Sequence, residues 1–159
     1  MQATLQNIKE EQPELLSICM HALLKTIPFT GDCFRLPEQR EFLMEHLFKA
    51  AAIEEPECQR LACECLVELP AIAYDHLMPY LQQIGALTYN LIQRENPEAL
   101  KQALMFWDAL CAEESRRGQD SLRYITQFLA SILPLIFSCI EKSDLDEEDG
   151  KEVGDTVDD

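Results

Sequence analysis

Glycine is scarce in this chain, at five residues in 159. That scarcity argues against phosphate-cradling glycine loops and against a turn-rich β-barrel, both of which use backbone conformations that glycine adopts most easily. Basic residues are scarce as well: 13 Lys and Arg stand against 29 Asp and Glu, a formal charge of −16. Phosphate-binding surfaces need clustered cations, so the balance points to no nucleic acid as a partner. The same repulsion points to no membrane surface. Apolar runs are short, and the richest, Phe128 to Ile140, is interrupted by Ser131, Pro134 and Ser138. It cannot span a bilayer. Met1 to Glu10 is polar and lacks the apolar stretch of a secretory signal.

Catalytic signatures are missing too. No G-x-S-x-G, H-E-x-x-H or Gly-rich phosphate loop occurs. Seven cysteines, an odd number, lie at 19, 33, 58, 63, 65, 111 and 139, mostly inside apolar patterns where a free thiol acts as a small buried hydrophobe. The tightest group, Cys58, Cys63 and Cys65, reads C-x4-C-x-C, which is not the spacing of a structural zinc site. His21, His46 and His76 keep no i,i+4 spacing with one another. Cys19 and His21 are i,i+2 neighbours, which a helix points about 200° apart, so they do not pair as nucleophile and base. The expectation is a non-enzymatic interaction scaffold in a reducing compartment, with no metal and no cofactor.

What is present is a repeat. Glu11-Gln12-Pro13-Glu14, Glu54-Glu55-Pro56-Glu57 and Glu95-Asn96-Pro97-Glu98 all read E-x-P-E, spaced by 43 and 41 residues. Each suits a helix start, because Pro is preorganised for the first turn and Glu complements the helix dipole. Six residues after each Pro stands a small residue (Cys19, Ala62, Ala103), and ten after it a large apolar one (Leu23, Leu66, Trp107). A second series of starts lies between: Pro37, then Pro79, then an N-cap at Asp120-Ser121. Alternating helices are predicted near 3–10, 13–27, 37–53, 56–69, 76–94, 97–114 and 121–141. Helix pairs recurring at this interval are the signature of an all-α HEAT-repeat solenoid, a right-handed superhelical stack of antiparallel A and B helices. About three and a half repeats would fill residues 1–141. Both ends of that array look open, and the chain is expected to be a fragment of a longer protein.

Within the helix from Pro37 to Ile53, Leu43, Met44, Leu47, Phe48, Ala50 and Ala51 form one broad apolar stripe at about 100° per residue. Phe42 falls on the opposite face with Glu45, His46 and Lys49, which suggests either a docking point for an apolar group or packing beneath a neighbour. Trp107, beside Phe106, occupies the place of Leu23 and Leu66 and is expected in the core. Pro134 is expected to bend the last helix by removing a backbone hydrogen bond. Residues 142–159 read as a flexible acidic loop, densest at Asp144, Asp146, Glu147, Glu148 and Asp149. Such a run could hold a basic partner through salt-sensitive attraction.

Three stretches carry a family resemblance: Ala22-Leu23-Leu24-Lys25-Thr26-Ile27-Pro28-Phe29-Thr30, Arg40-Glu41-Phe42-Leu43-Met44, and Phe106-Trp107-Asp108-Ala109-Leu110-Cys111-Ala112-Glu113-Glu114. Taken in order and spacing, they resemble the importin-β (karyopherin-β) family across HEAT repeats five to eight. The resemblance implies a nuclear transport receptor that shuttles between cytoplasm and nucleus through the pore. It implies docking of FG-repeat nucleoporins between neighbouring A helices, at Phe42 and Leu43 with Leu5 and Ile8 across the pocket. It implies binding of Ran-GTP, and of the importin-β-binding segment of importin-α or a basic cargo, by Asp144, Asp146, Glu147, Glu148 and Asp149, with Glu113 and Glu114 as further acids. The sequence departs from the family's closest members at Met105 and Ala112, where they carry acids. A different HEAT-repeat scaffold, of the phosphatase-scaffold kind, is the alternative.

Overall fold

The computed structural model describes residues 13–94 and 96–149, with side chains placed from residue 15 to residue 140. Its helices are α1 (Pro13–Thr26), α2 (Gly31–Arg35), α3 (Pro37–Ala52), α4 (Pro56–Val67), α5 (Leu69–Ala73), α6 (Leu81–Ile92), α7 (Pro97–Arg117) and α8 (Tyr124–Asp149). Short 3-10 turns at Ile27–Phe29, Tyr74–His76, Met78–Tyr80 and Gly118–Asp120 join them. No strand occurs among the described residues, and none of their helices is long and apolar enough to cross a membrane.

Each E-x-P-E tetrapeptide opens a helix, with Pro13, Pro56 and Pro97 as the first residues of α1, α4 and α7. The variable position is the N-cap where it is described. Glu55 accepts from the N–H groups of Glu57 and Cys58, and Asn96 Oδ1 accepts from Ala99 N at 3.1 Å. These bonds satisfy donors that the first helical turn leaves free. The three helices stack as one layer, α4 lying between α1 and α7. Ala62 and Ala103, the small residues of the repeat, are buried, as are Leu23, Leu66 and Trp107 four positions later. Small side chains let the helices approach, and large ones fill the space beyond. The second layer holds α3 against α4, and α6 and α8 against each other and against α7. This two-layer stack of antiparallel pairs is the all-α HEAT-repeat solenoid.

Asn96 also ties one repeat to the next. Its Nδ2 donates to Gln59 Oε1 at 2.8 Å and to Pro56 O at 3.2 Å, and both side chains are buried. Asn96→Ala removes a cap and strands the Gln59 carbonyl, so it should cost about 1–2 kcal/mol. Urea unfolding of the two chains checks this, and an unchanged midpoint would show the bridge to be dispensable.

The connections and ends differ from the sequence expectation in several places. Helix α4 stops at Val67 because Pro70 cannot donate to the preceding turn and starts the short α5 instead. Pro79 lies in a 3-10 turn just before α6 rather than in its first turn. Ser121 does not cap α8. Its Oγ accepts from Arg123 N at 3.0 Å, closing a turn in which Arg123 has φ 55°, and the helix begins at Tyr124. At the other end, α8 continues through Asp149, beyond the boundary expected at 141. Once nucleated, a helix adds one hydrogen bond for each further residue fixed, which favours propagation into the acidic segment.

Candidate functional site

The resemblance places docking on the α3, α6 and α8 layer. On α3, Phe42 is half-buried, and its ring lies 4.2 Å from the ring of His46, centroid to centroid, tilted by 35°. The His46 Nδ1 also sits 2.7 Å from the Phe42 carbonyl oxygen. This i,i+4 pair forms a tilted, half-buried aromatic ledge on α3. Leu43, expected beside it as a docking residue, is instead only 2% exposed and packs in the core with Met44 and Leu47. Its place at the rim of the apolar stripe is covered once the repeat packs. Leu5 and Ile8, expected across the pocket, lie outside the described residues.

A second feature was not legible as a site beforehand. Between α6 and α8 runs an apolar groove of about 240 Å³. Leu81, Gly85 and Tyr89 line it from α6, and Phe128, Ile132 and Leu135 from α8, with Trp107 of α7 beneath. Gly85 lies against the indole, and a methyl added there would meet Trp107 Cζ2 at an ordinary 3.8 Å. The indole is held by its Nε1–H, which donates to Thr88 Oγ1 at 3.2 Å, while that hydroxyl donates to Ile84 O at 2.9 Å. Phe106 meets the same indole edge to face at 5.2 Å. Tyr89, 53% exposed, forms one wall. The sequence signal for this groove was Gly85 one helical turn before Tyr89, and nothing in that spacing names the partner helix.

The acidic candidates divide. Glu113 is buried, and its two oxygens take hydrogen bonds from Arg116 at 2.8 and 2.6 Å and from Arg117 at 2.7 Å. These bonds, led by that from Arg116, hold its carboxyl down to about 2 against the opposing effect of burial. Glu114 Oε1 accepts from the Tyr74 hydroxyl at 2.9 Å and from Ile125 N at 3.3 Å. The Tyr74 oxygen in turn accepts from Leu122 N at 2.9 Å, and the Arg117 guanidinium lies 4.1 Å above the Tyr74 ring while donating to Asp75. Both glutamates are therefore engaged in a brace that joins the 74–76 turn, the end of α7 and the start of α8. Glu113 commits both of its oxygens to the brace, whereas Glu114 commits one. Asp144, Asp146, Glu147, Glu148 and Asp149 stand on the helical backbone of α8.

Cys58, Cys63 and Cys65 are buried free thiols, each pushed up to about 12, chiefly by burial. Thiols so protonated at neutral pH are packing groups rather than nucleophiles. Among the described residues no group of His, Cys, Asp and Glu is arranged to hold a metal ion.

Compared with known proteins, the chain is similar to importin subunit beta-1 of three organisms. It is 23% identical to that of Arabidopsis thaliana over 89% of this chain and 18% of the relative. For Saccharomyces cerevisiae the figures are 22%, 82% and 16%, and for Schizosaccharomyces pombe 25%, 92% and 19%. The chain thus spans less than a fifth of the length of these relatives. No family model and no solved structure matches it.

Proposed function

The chain is related to the importin-β family of nuclear transport receptors, and on that premise we propose that it contributes a docking segment for FG-repeat nucleoporins in nuclear protein import. The observation that carries this reading is the groove between the neighbouring helices α6 and α8. Its volume exceeds the about 150 Å³ that holds a benzene ring in a protein interior. Its lining is mostly aromatic and aliphatic, with the indole and an exposed tyrosine among the apolar groups and Gln82 and Ser131 as the polar ones. A phenylalanine ring fits such a slot, and the flanking glycines of an FG repeat let its backbone pass close to Gly85 and Ser131. The Phe42–His46 ledge would receive a second phenylalanine of the same strand. Weak contacts at several such points exchange quickly yet retain the receptor in the pore, because each tethered site raises the effective concentration at the next.

On the same reading, the acidic turns of α8 at 144–149 receive the basic importin-β-binding segment of importin-α or another basic cargo, and Ran-GTP opposes that binding. The charge density there supports salt-sensitive association. Shuttling between cytoplasm and nucleus follows from that role.

An NMR titration with a short FG-repeat peptide tests the docking reading. Saturable shifts are expected in two clusters, around Phe42 and around Gly85, Tyr89 and Ser131. Phe42→Ser should abolish the first cluster, and Gly85→Leu, which plugs the groove, the second. A peptide that shifts neither cluster at millimolar concentration would remove the nucleoporin reading and leave a HEAT-repeat scaffold of other purpose.

A further inference from the structure

The two walls of the apolar groove begin at one point in the fold. Helix α6 follows the 74–76 and 78–80 turns, and α8 follows the 118–120 turn. Tyr74 stands where these connections meet. It is 1% exposed, and its ring lies 4.8 Å from that of Tyr124, the first residue of α8, tilted by 39°. The Tyr124 hydroxyl takes a backbone hydrogen bond from Met78, in the turn that leads into α6.

Helix α8 also lacks a cap of its own. A helix start is ordinarily capped by the side chain just before it, which moves with the helix. Ahead of Tyr124 stands Arg123, a non-glycine residue in the left-handed region at φ 55°. Backbone donors here are met from elsewhere in the fold: Leu122 N by the Tyr74 hydroxyl at 2.9 Å, and Ile125 N by Glu114 Oε1 at 3.3 Å. The Tyr74 hydroxyl donates to that same Glu114 oxygen at 2.9 Å. Helix α8 is thus aimed by α7 and the 74–76 turn rather than by the loop that precedes it. Its left-handed residue is a joint that would relax if those bonds were lost.

We propose that Tyr74 and Glu114 are positioning residues for the groove: they fix the angle between α6 and α8, and with it the width of the slot. Neither residue lines the groove, so both act through α8. Leverage enlarges the effect. Ile132 stands eight residues beyond Tyr124. At 1.5 Å of rise per residue that is about 12 Å, so a tilt of about 5° at the root moves it by about 1 Å. A gap of about 0.5–1 Å already forfeits a quarter to a half of a dispersion contact. The consequence for a phenylalanine ligand rests on nucleoporin docking; the direction of α8 does not.

Residual dipolar couplings of the backbone amides in the whole chain measure the α6–α8 angle directly. Tyr74→Phe keeps the ring contact and deletes the hydroxyl, and Glu114→Ala deletes the acceptor. Each is expected to turn α8 relative to α6, or to average its couplings, while α3 and α4 stay aligned as in the wild type. Acrylamide quenching of Trp107, which lines the groove and is 5% exposed, should rise in both. Arg116→Ala is the control. Arg116 bonds Glu113 and no group at the start of α8, so its loss should cost stability without turning the helix. A wild-type angle in both Tyr74→Phe and Glu114→Ala overturns the proposal. So does an equal turn in Arg116→Ala, which would make the angle a consequence of any lost stability. With an FG-repeat peptide, the shifts around Gly85, Tyr89 and Ser131 should need about threefold to tenfold more peptide in the two variants, the factor by which the competent population falls. Those around Phe42 should be unchanged. A turned helix with unaltered peptide affinity would sever the angle from the fit of the slot and overturn that half. A wild-type chain that binds no peptide removes the docking reading, and the couplings still decide what Tyr74 and Glu114 do.

Discussion

Trp107→Ala is expected to lower the folding free energy by about 3–5 kcal/mol. The indole is 5% exposed and lies where α6, α7 and α8 converge. Its removal deletes the transfer energy of a large side chain and leaves a cavity that three helices cannot easily close. It also strands the Thr88 hydroxyl, which is fully buried, without its donor, though that oxygen keeps its own bond to Ile84 O. The expected readout is a urea unfolding curve followed by circular dichroism, because Trp107 is the only tryptophan and its fluorescence goes with it. Trp107→Phe should recover most of the loss, since the ring returns and only the hydrogen bond to Thr88 is gone. A variant with the wild-type midpoint would mean the indole fills no space that stability depends on. The same substitution deepens the α6–α8 groove, so the peptide shifts around Gly85 should change in pattern even in a folded variant.

The second large effect belongs to Glu113. Its carboxyl is held at about 2 in the folded chain, against an ordinary 4.5, chiefly by the hydrogen bond from Arg116, with Arg117 assisting. The folded value is the depressed one. The stabilisation is therefore fully present above pH 4.5 and is lost as the pH falls toward 2. Arg116 is largely solvent-exposed, which screens part of the gain, so Glu113→Gln should cost about 2–3 kcal/mol at neutral pH. Below pH 4.5 the stabilities of wild type and variant should converge. Urea unfolding of both chains across this range isolates Glu113 from the other carboxylates, which titrate alike in the two. A difference independent of pH would mean that ionisation of this carboxylate is not the source of the stability. Because Arg117 stacks on Tyr74, loosening it should also free the 74–76 turn from the start of α8.

Much of the architecture was legible along the chain. Proline in the E-x-P-E tetrapeptides starts three helices of one layer, and the small and large residues six and ten positions later are buried except Cys19, which is half-buried. Proline at a helix start and an apolar side chain on a helical stripe act within one or two turns of backbone, so their consequences are local and repeat with the motif. The apolar stripe of α3 was legible for the same reason, and Trp107 took the core position shared with Leu23 and Leu66.

The site was less legible, because its residues acquire meaning only from neighbours that are distant in sequence. Leu43 sits at the margin of a stripe, where a few degrees decide between core and surface, and packing put it in the core. Glu113 and Glu114 read as free acids until Arg116 and Arg117 fold back on the first and Tyr74, forty residues away, reaches the second. The groove needs Gly85, Trp107 and Ile132 on three separate helices. The helical repeat, the alternation of its main helices and the acidic character of positions 144–149 were thus determined by the sequence alone, through short-range backbone preference, periodicity and composition. Which side chains face water, which acids are already paired and where a ring could enter were decided only when the helices stacked, because burial and hydrogen bonding are properties of the space between elements.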